Sequence, residues 1–163
     1  VDLIAQLSDN LEVSFGGAYM ERELDTNLLL PATLVPFASQ LATQEDIEAF
    51  VFLGAPDWSY SLNATYTLPI SEDVGEMALG VRYYTVSDIH FGGNIFADEY
   101  STTDVRLDWY DALGTGLDAA FYVTNVTDEE EIIAPASSGA NIGINSAIFN
   151  EPRMWGASLR YSF

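Results

Sequence analysis

The feature that most constrains this chain is a strict alternation of apolar and polar residues, repeated in one segment after another. Leu11 to Met20 sets Leu11, Val13, Phe15, Gly17 and Tyr19 opposite Glu12, Ser14, Gly16 and Ala18. Trp58 to Leu68 sets Tyr60, Leu62, Ala64, Tyr66 and Leu68 opposite Ser59, Ser61, Asn63, Thr65 and Thr67. The same pattern runs through Glu76 to Val86, Thr102 to Tyr110, Leu117 to Asn125 and Arg153 to Phe163. Val1 to Leu7 repeats it partially, because Ile4 shares a face with Asp2 and Gln6. A period of two belongs to strands and not to helices. The chain is therefore expected to be all-β, with about seven antiparallel strands.

The connections alternate in length. Ser8-Asp9-Asn10, Ile70 to Gly75 and Asp111 to Gly116 are short, whereas Leu24 to Asp57, Ser87 to Ser101 and Val126 to Pro152 are long. An antiparallel meander joined in this way puts every short turn at one end and every long loop at the other. Transmembrane β-barrels have that asymmetry. Soluble sandwiches more often have compact connections at both ends. A soluble antiparallel sheet with one buried face is the competing reading. Against it, the polar faces carry small residues such as Ser14, Gly16, Ser59, Ser61, Gly80 and Ser158 rather than Lys and Glu. The aromatics also fall into two levels. Tyr19, Trp58, Tyr83 and Trp155 form one near the long loops, and Tyr66, Trp109, Tyr161 and Phe163 form one near the short turns. Two such levels are the pattern of interfacial girdles.

Charge narrows the partners. The chain holds 25 Asp and Glu against five Arg and no Lys, a formal net charge of −20. Phosphate backbones and anionic lipid headgroups attract Lys and Arg, so the charge argues against nucleic-acid binding and against a polybasic membrane contact. No cysteine is present, which removes disulfides, thiolate metal sites and cysteine nucleophiles. The longest run free of both charged and polar residues, about Ala49 to Pro56, is far short of the roughly 20 apolar residues a spanning helix needs. A spanning strand needs only ~10 residues of alternating character. The sequence opens Val1-Asp2-Leu3-Ile4, without Met, basic region or apolar signal core, as expected of a processed product or a fragment. An odd strand count gives the same expectation: further strands precede Val1.

The long loops are acidic and offer little chemistry. Thr43 and Asp46 have capping-box spacing, which predicts a short helix over Gln44 to Leu53. Asp128 to Glu131 is a run of four acids, followed by the small residues of Pro135 to Gly143. The chain's one His, His90, lies near Asp88, but a metal site needs three or four ligands placed together. The acids lack the ligand spacing of a calcium loop. Asn63-Ala64-Thr65 and Asn125-Val126-Thr127 match a glycosylation sequon but lie in or at the end of strands. No serine nucleophile is set beside His90, no paired-carboxylate or phosphate-loop arrangement stands out, and neither an enzyme nor a cofactor is expected.

Three segments carry a family resemblance. Pro56-Asp57-Trp58-Ser59-Tyr60-Ser61-Leu62-Asn63-Ala64-Thr65-Tyr66, Tyr122-Val123-Thr124-Asn125-Val126-Thr127-Asp128, and Glu151 to Phe163 with its terminal Phe resemble, in that order, three strands at the end of the β-barrel of TonB-dependent outer-membrane receptors. The pattern departs where Glu129-Glu130-Glu131 follows the Asn-x-Thr-Asp stretch, since the family often has an aromatic there.

The resemblance implies that residues 1–163 are the C-terminal section of a transmembrane antiparallel barrel of 22 strands, lacking the plug domain and the N-terminal strands. It implies a cell outer membrane of a Gram-negative bacterium. It also implies uptake of a scarce ligand (siderophore, vitamin or glycan) energised by the TonB complex through a TonB box that this sequence does not contain. Implied partners are outer-membrane lipid, the remaining strands and plug, and the barrel assembly machinery. Phe163, with Tyr161 and Leu159 before it, would be the assembly signal. Arg82, Asp104, Arg106, Asp108 and Arg160 fall on the polar faces of their strands and are expected to face the lumen as a network between neighbouring strands, with direct ligand contact as the alternative. A complete barrel of eight strands, its eighth supplied by Ala49 to Gly54, is a further alternative. If the missing loops are equally acidic, a neutral or cationic ligand is expected to be favoured over an anionic chelate.

Overall fold

The computed structural model describes residues 1–23, 54–91, 96–135 and 146–162. The expected helix within Gln44 to Leu53, the candidate eighth strand over Ala49 to Gly54 (of which only Gly54 is described) and the terminal Phe163 lie wholly or mostly outside those residues. Eleven strands are formed by the described chain: β1 (Asp2–Ser8), β2 (Leu11–Tyr19), β3 (Trp58–Thr67), β4 (Glu76–Val86), β5 (Ile89–His90), β6 (Phe96–Ala97), β7 (Tyr100–Tyr110), β8 (Leu117–Thr124), β9 (Ile132–Pro135), β10 (Ala147–Phe149) and β11 (Met154–Tyr161).

Seven of these make one antiparallel sheet in the order β1-β2-β3-β4-β7-β8-β11. They are the seven alternating segments of the sequence. β5–β6 and β9–β10 are two small hairpins inside long connections, too short for alternation to mark. Among the described residues, the outer edges of β1 and β11 pair with no further strand. The short ends are closed by the Asp9–Asn10 turn and by single 3-10 turns at Glu72–Val74 and Ala112–Gly114.

The register keeps like with like. Directly paired residues share a face of an antiparallel sheet. One row runs Ala5, Val13, Ala64, Val81, Val105, Val123, Trp155, and the next runs Leu11, Tyr66, Leu79, Leu107, Phe121, Ala157. Between them lies Gln6, Glu12, Thr65, Gly80, Arg106, Tyr122, Gly156 on the other face. The sheet thus has one apolar and one polar face, continuous across seven strands.

Among the described residues nothing packs on the apolar face. Leu62, Tyr66, Leu79, Val81, Phe121 and Leu159 are all exposed, Leu159 at 75%. Withdrawing one such side chain from water is worth roughly 1.5–3 kcal/mol, so an exposed apolar face of this extent is a surface that gains by meeting an apolar partner. The buried apolar residues are few and sit elsewhere. Val86, Ile89 and Ala97 form a small core at the long-loop end, with Tyr84, Phe91, Tyr100 and Ile132 against it.

Candidate functional site

The candidate site is the sheet itself: an exposed apolar surface on one side, a charged polar surface on the other, and loop anchors at one end. The register locates the aromatics that bound the apolar surface. The row of Tyr66 on β3 meets Leu107 on β7, and Trp109 lies two residues nearer the short turns. The row of Trp109 meets Leu159 on β11, and Tyr161 again lies two residues nearer. The lower level therefore drifts by one residue per strand, the stagger expected when strands tilt in a barrel wall. At the upper level Tyr19 pairs directly with Trp58, and the row of Trp155 meets Ala64, with the same direction of drift. Tyr83 departs from the upper level assigned to it on sequence. It pairs with Leu62, well below Trp58, so its ring lies within the apolar band. From Trp58 to Tyr66 the strand rises about 26 Å at ~3.3 Å per residue, which after tilting suits a transmembrane band of ~25 Å or slightly less.

The girdle rings are held in place. Trp58 and Tyr60 stack with centroids 4.7 Å apart. Trp109 donates its indole N–H to the Val74 carbonyl at 2.7 Å, across the short-turn end. An amphipathic ring with its polar edge bonded at the rim and its body on the apolar face is suited to a lipid–water boundary.

All five charges singled out on sequence share the polar face. Arg82 pairs in register with Asp104, and Arg160 with Asp118, a residue the sequence reading passed over. The one ion pair among these residues runs along β7 instead of across strands. Arg106 grips Asp108 two residues on, with its Nε 2.8 Å and Nη2 2.7 Å from the two carboxylate oxygens. Asp104 accepts the Asn125 backbone N–H at 3.0 Å. Among the described residues Arg82 and Arg160 form no ion pair. On the opposite face of β11, Leu159 and Tyr161 are both exposed.

The motifs that carried the family resemblance turn out to be fasteners. Asn125 ends β8 with φ of 48°, a left-handed conformation that Asn tolerates better than most residues. Its buried side chain donates to the carbonyls of Glu129 (2.8 Å) and Glu151 (3.0 Å) and accepts the Glu129 N–H (3.1 Å). Asp128 then receives both the backbone N–H and the guanidinium of Arg153, each at 3.1 Å. Asn150 adds a bond to the Glu129 carbonyl and another from the Glu131 N–H. The two ends of the third long loop are thereby tied together. At the start of β3, Ser87 accepts the backbone N–H groups of Asp57 (2.9 Å) and Trp58 (3.4 Å), while Arg22 bonds the Ala55 carbonyl and pairs with Asp57. The sequence marked these residues as a pattern without revealing which atoms they join. Ser87 carried no signal at all.

Nothing in this arrangement resembles a reaction centre. Among the described residues no group of three or more His, Asp or Glu could hold a metal ion. His90 stacks on Phe96 at 4.2 Å in the β5–β6 hairpin.

Neither a protein-family model nor a curated protein matches the sequence. Solved structures do match its fold. The chain is similar to the ferric yersiniabactin uptake receptor FyuA of Yersinia pestis, with 17% identity and a TM-score of 0.69 over 99% of this chain and 23% of that one. It is also similar to FpvA of P. aeruginosa, solved with iron and a heterologous pyoverdine, with 16% identity and a TM-score of 0.64 over 99% of this chain and 19% of that one. At these identities the likeness is one of fold: an all-β antiparallel sheet related to known β-barrel outer-membrane receptors. The chain spans about a fifth to a quarter of either protein.

Proposed function

We propose that residues 1–163 form the C-terminal section of the transmembrane barrel of a TonB-dependent receptor in the outer membrane of a Gram-negative bacterium. The whole protein imports a scarce ligand and is not an enzyme. The observation that carries this reading is the sheet: seven meandering strands, one face apolar and uncovered, with nearly the whole chain superposing on part of an iron-chelate uptake receptor. The apolar face contacts lipid between the girdles. The remaining strands pair with β1 and β11 to close the wall. The polar face lines the lumen, where Arg82, Asp104, Arg106, Asp108 and Arg160 meet water or the plug domain. Phe163, with Tyr161 and Leu159, is the signal taken up by the assembly machinery. TonB contacts belong to the plug region and not to these strands.

The test is the mass of the native protein in outer-membrane fractions, followed through the peptide Met154 to Phe163. A heat-modifiable band several times larger than 17.9 kDa is expected. A native mass near 17.9 kDa would mean a small complete barrel and would end the transport assignment. Recovery in the soluble fraction would end the membrane assignment as well.

A further inference from the structure

The small core at the loop-side end is seated on one particular side of the sheet. On β4, Tyr84 and Val86 share the face of Arg82 and Gly80. On β7, Tyr100 shares the face of Asp104 and Arg106. These are polar-face positions. Val86 is nonetheless only 2% exposed, because Ile89 and Ala97 of the β5–β6 hairpin lie on it, with Ile132 of the third loop packed alongside. The loop after β4 therefore folds toward the polar face and not outward over the apolar one. It is tied at several points. Ile89 pairs with Ala97, Thr85 donates its hydroxyl to the Tyr100 carbonyl at 3.1 Å, and Gly54 of the first loop donates its N–H to the His90 carbonyl at 3.4 Å. The third loop is tied to itself and to β7 by the Asn125 and Asn150 bonds, and Ile132 packs it against this core.

We propose that residues 87–91 and 96–99, together with the start of the third loop at Ile132, form one fixed inward wall that narrows the loop-side mouth over β4 and β7. These described parts of two long loops then move as a single body and not as independent flaps. That this wall overhangs a lumen rests on the function proposed above. That it is one packed body rests on the core alone.

Residues 1–163 contain no cysteine, so any label recovered on a peptide from this section reports the introduced thiol. Ala97→Cys and its exposed neighbour Asp98→Cys are placed singly in the natural full-length protein and treated with a membrane-impermeant maleimide on intact cells. A side chain that reacts only when a packed segment opens should label at least about tenfold more slowly than a freely exposed one. Ala97→Cys should show that lag behind Asp98→Cys. Ile132→Ser should then speed labelling at Ala97→Cys several-fold, leave Asp98→Cys unchanged and leave the heat-modifiable band intact. Equal rates at the two cysteines, or no response to Ile132→Ser, would overturn the proposal. Should Ala97→Cys fail to assemble, cleavage of the unaltered barrel by a glutamate-specific protease gives the same answer. Cuts after Glu99 and Glu131 should both be slow and should both accelerate with Ile132→Ser, whereas acceleration at Glu131 alone would break the single-body claim. If Asp98→Cys labels only once the outer membrane is opened, the orientation in the functional reading fails. The ratio of the two rates still decides the packing.

Discussion

Leu62 in the middle of β3 and Val86 at the loop-side end of β4 are both apolar strand residues in one sheet. The first is 44% exposed and the second 2%. In the band between the girdles the sheet turns its apolar side chains away from the protein, and the strand ladder consumes the backbone polar groups. At the loop end the apolar side chains gather inward, and polar side chains such as Asn125, Asp128 and Ser87 tie the backbone. The proposed function accounts for the difference by the solvent each region would face. In hydrocarbon every backbone group must be paired internally, and apolar surface costs nothing to leave uncovered. In water a loop must bury something and satisfy its own turns.

The sharpest way to break this contrast is to put the same charge on each side of one strand. Leu62→Arg places a guanidinium on the apolar face near mid-strand. It should cost ~2–4 kcal/mol if that face meets the bilayer core. Thr65→Arg, on the polar face of the same strand, should cost far less. Equilibrium unfolding in lipid vesicles reads both. Equal effects would mean that the uncovered face is not lipid-facing.

A second comparison sets two ways of holding the loop end against each other. Asn125 offers both an unusual backbone conformation and a buried amide with several bonds. Asn125→Ala loses the bonds and strains the backbone, and should destabilise the third loop by about 1–3 kcal/mol. Asn125→Gly keeps the left-handed backbone without strain, so it should recover part of that loss. The rate of protease cleavage near Glu130 measures both variants, and an Asn125→Ala loop as resistant as the native one would remove Asn125 as a fastener.

The polar face of the band has a fastener of its own. A Cβ on Gly156 would collide with the Tyr122 hydroxyl and ring, which lie across it from the neighbouring strand. Gly156→Val should cost about 1–3 kcal/mol through that overpacking. Adding Tyr122→Ala should return part of the loss, because the collision is gone. Were the double variant to unfold no later than Gly156→Val alone, the glycine would matter for another reason.

How much of this was legible in the sequence follows from the same two regions. All seven strands of the sheet were readable, because a sheet with one apolar and one polar face imposes period two on every strand. The strand limits came within two residues for the same reason. The hairpins β5–β6 and β9–β10 were not readable, since two- to four-residue strands are too short to show a period. The inward fold of the loop after β4 was hidden too. Ile89 and Ala97 fall within the long connection Ser87 to Ser101, and only the pairing of Ile89 with Ala97 sets them on Val86. Tyr83 was assigned to the upper girdle by its position along the chain, whereas height depends on stagger between strands, which only the register supplies. The pairing of Arg160 opposite Asp118 required the register as well, because the two residues lie on different strands.

The smallest expected effect concerns the ion pair that closes the third loop. Arg153 and Asp128 have side chains 50% and 46% exposed, 3.1 Å apart. Their attraction is set by water and by salt, and exposed pairs of this kind are worth about 0–1 kcal/mol. Arg153→Gln should therefore lower loop-three stability by under about 1 kcal/mol, much less than Asn125→Ala. The backbone N–H of Arg153, which Asp128 also accepts, survives the substitution. Asp128→Ala loses both bonds and should cost more. High salt should narrow the gap between native and Arg153→Gln proteins while leaving the Asn125→Ala deficit in place, since screening weakens exposed charges and not buried amide bonds. Salt titration of protease cleavage in the third loop measures this. A deficit for Arg153→Gln as large as that of Asn125→Ala, and insensitive to salt, would show that the loop is held by charge, and the account of its anchoring would have to be rebuilt around Arg153.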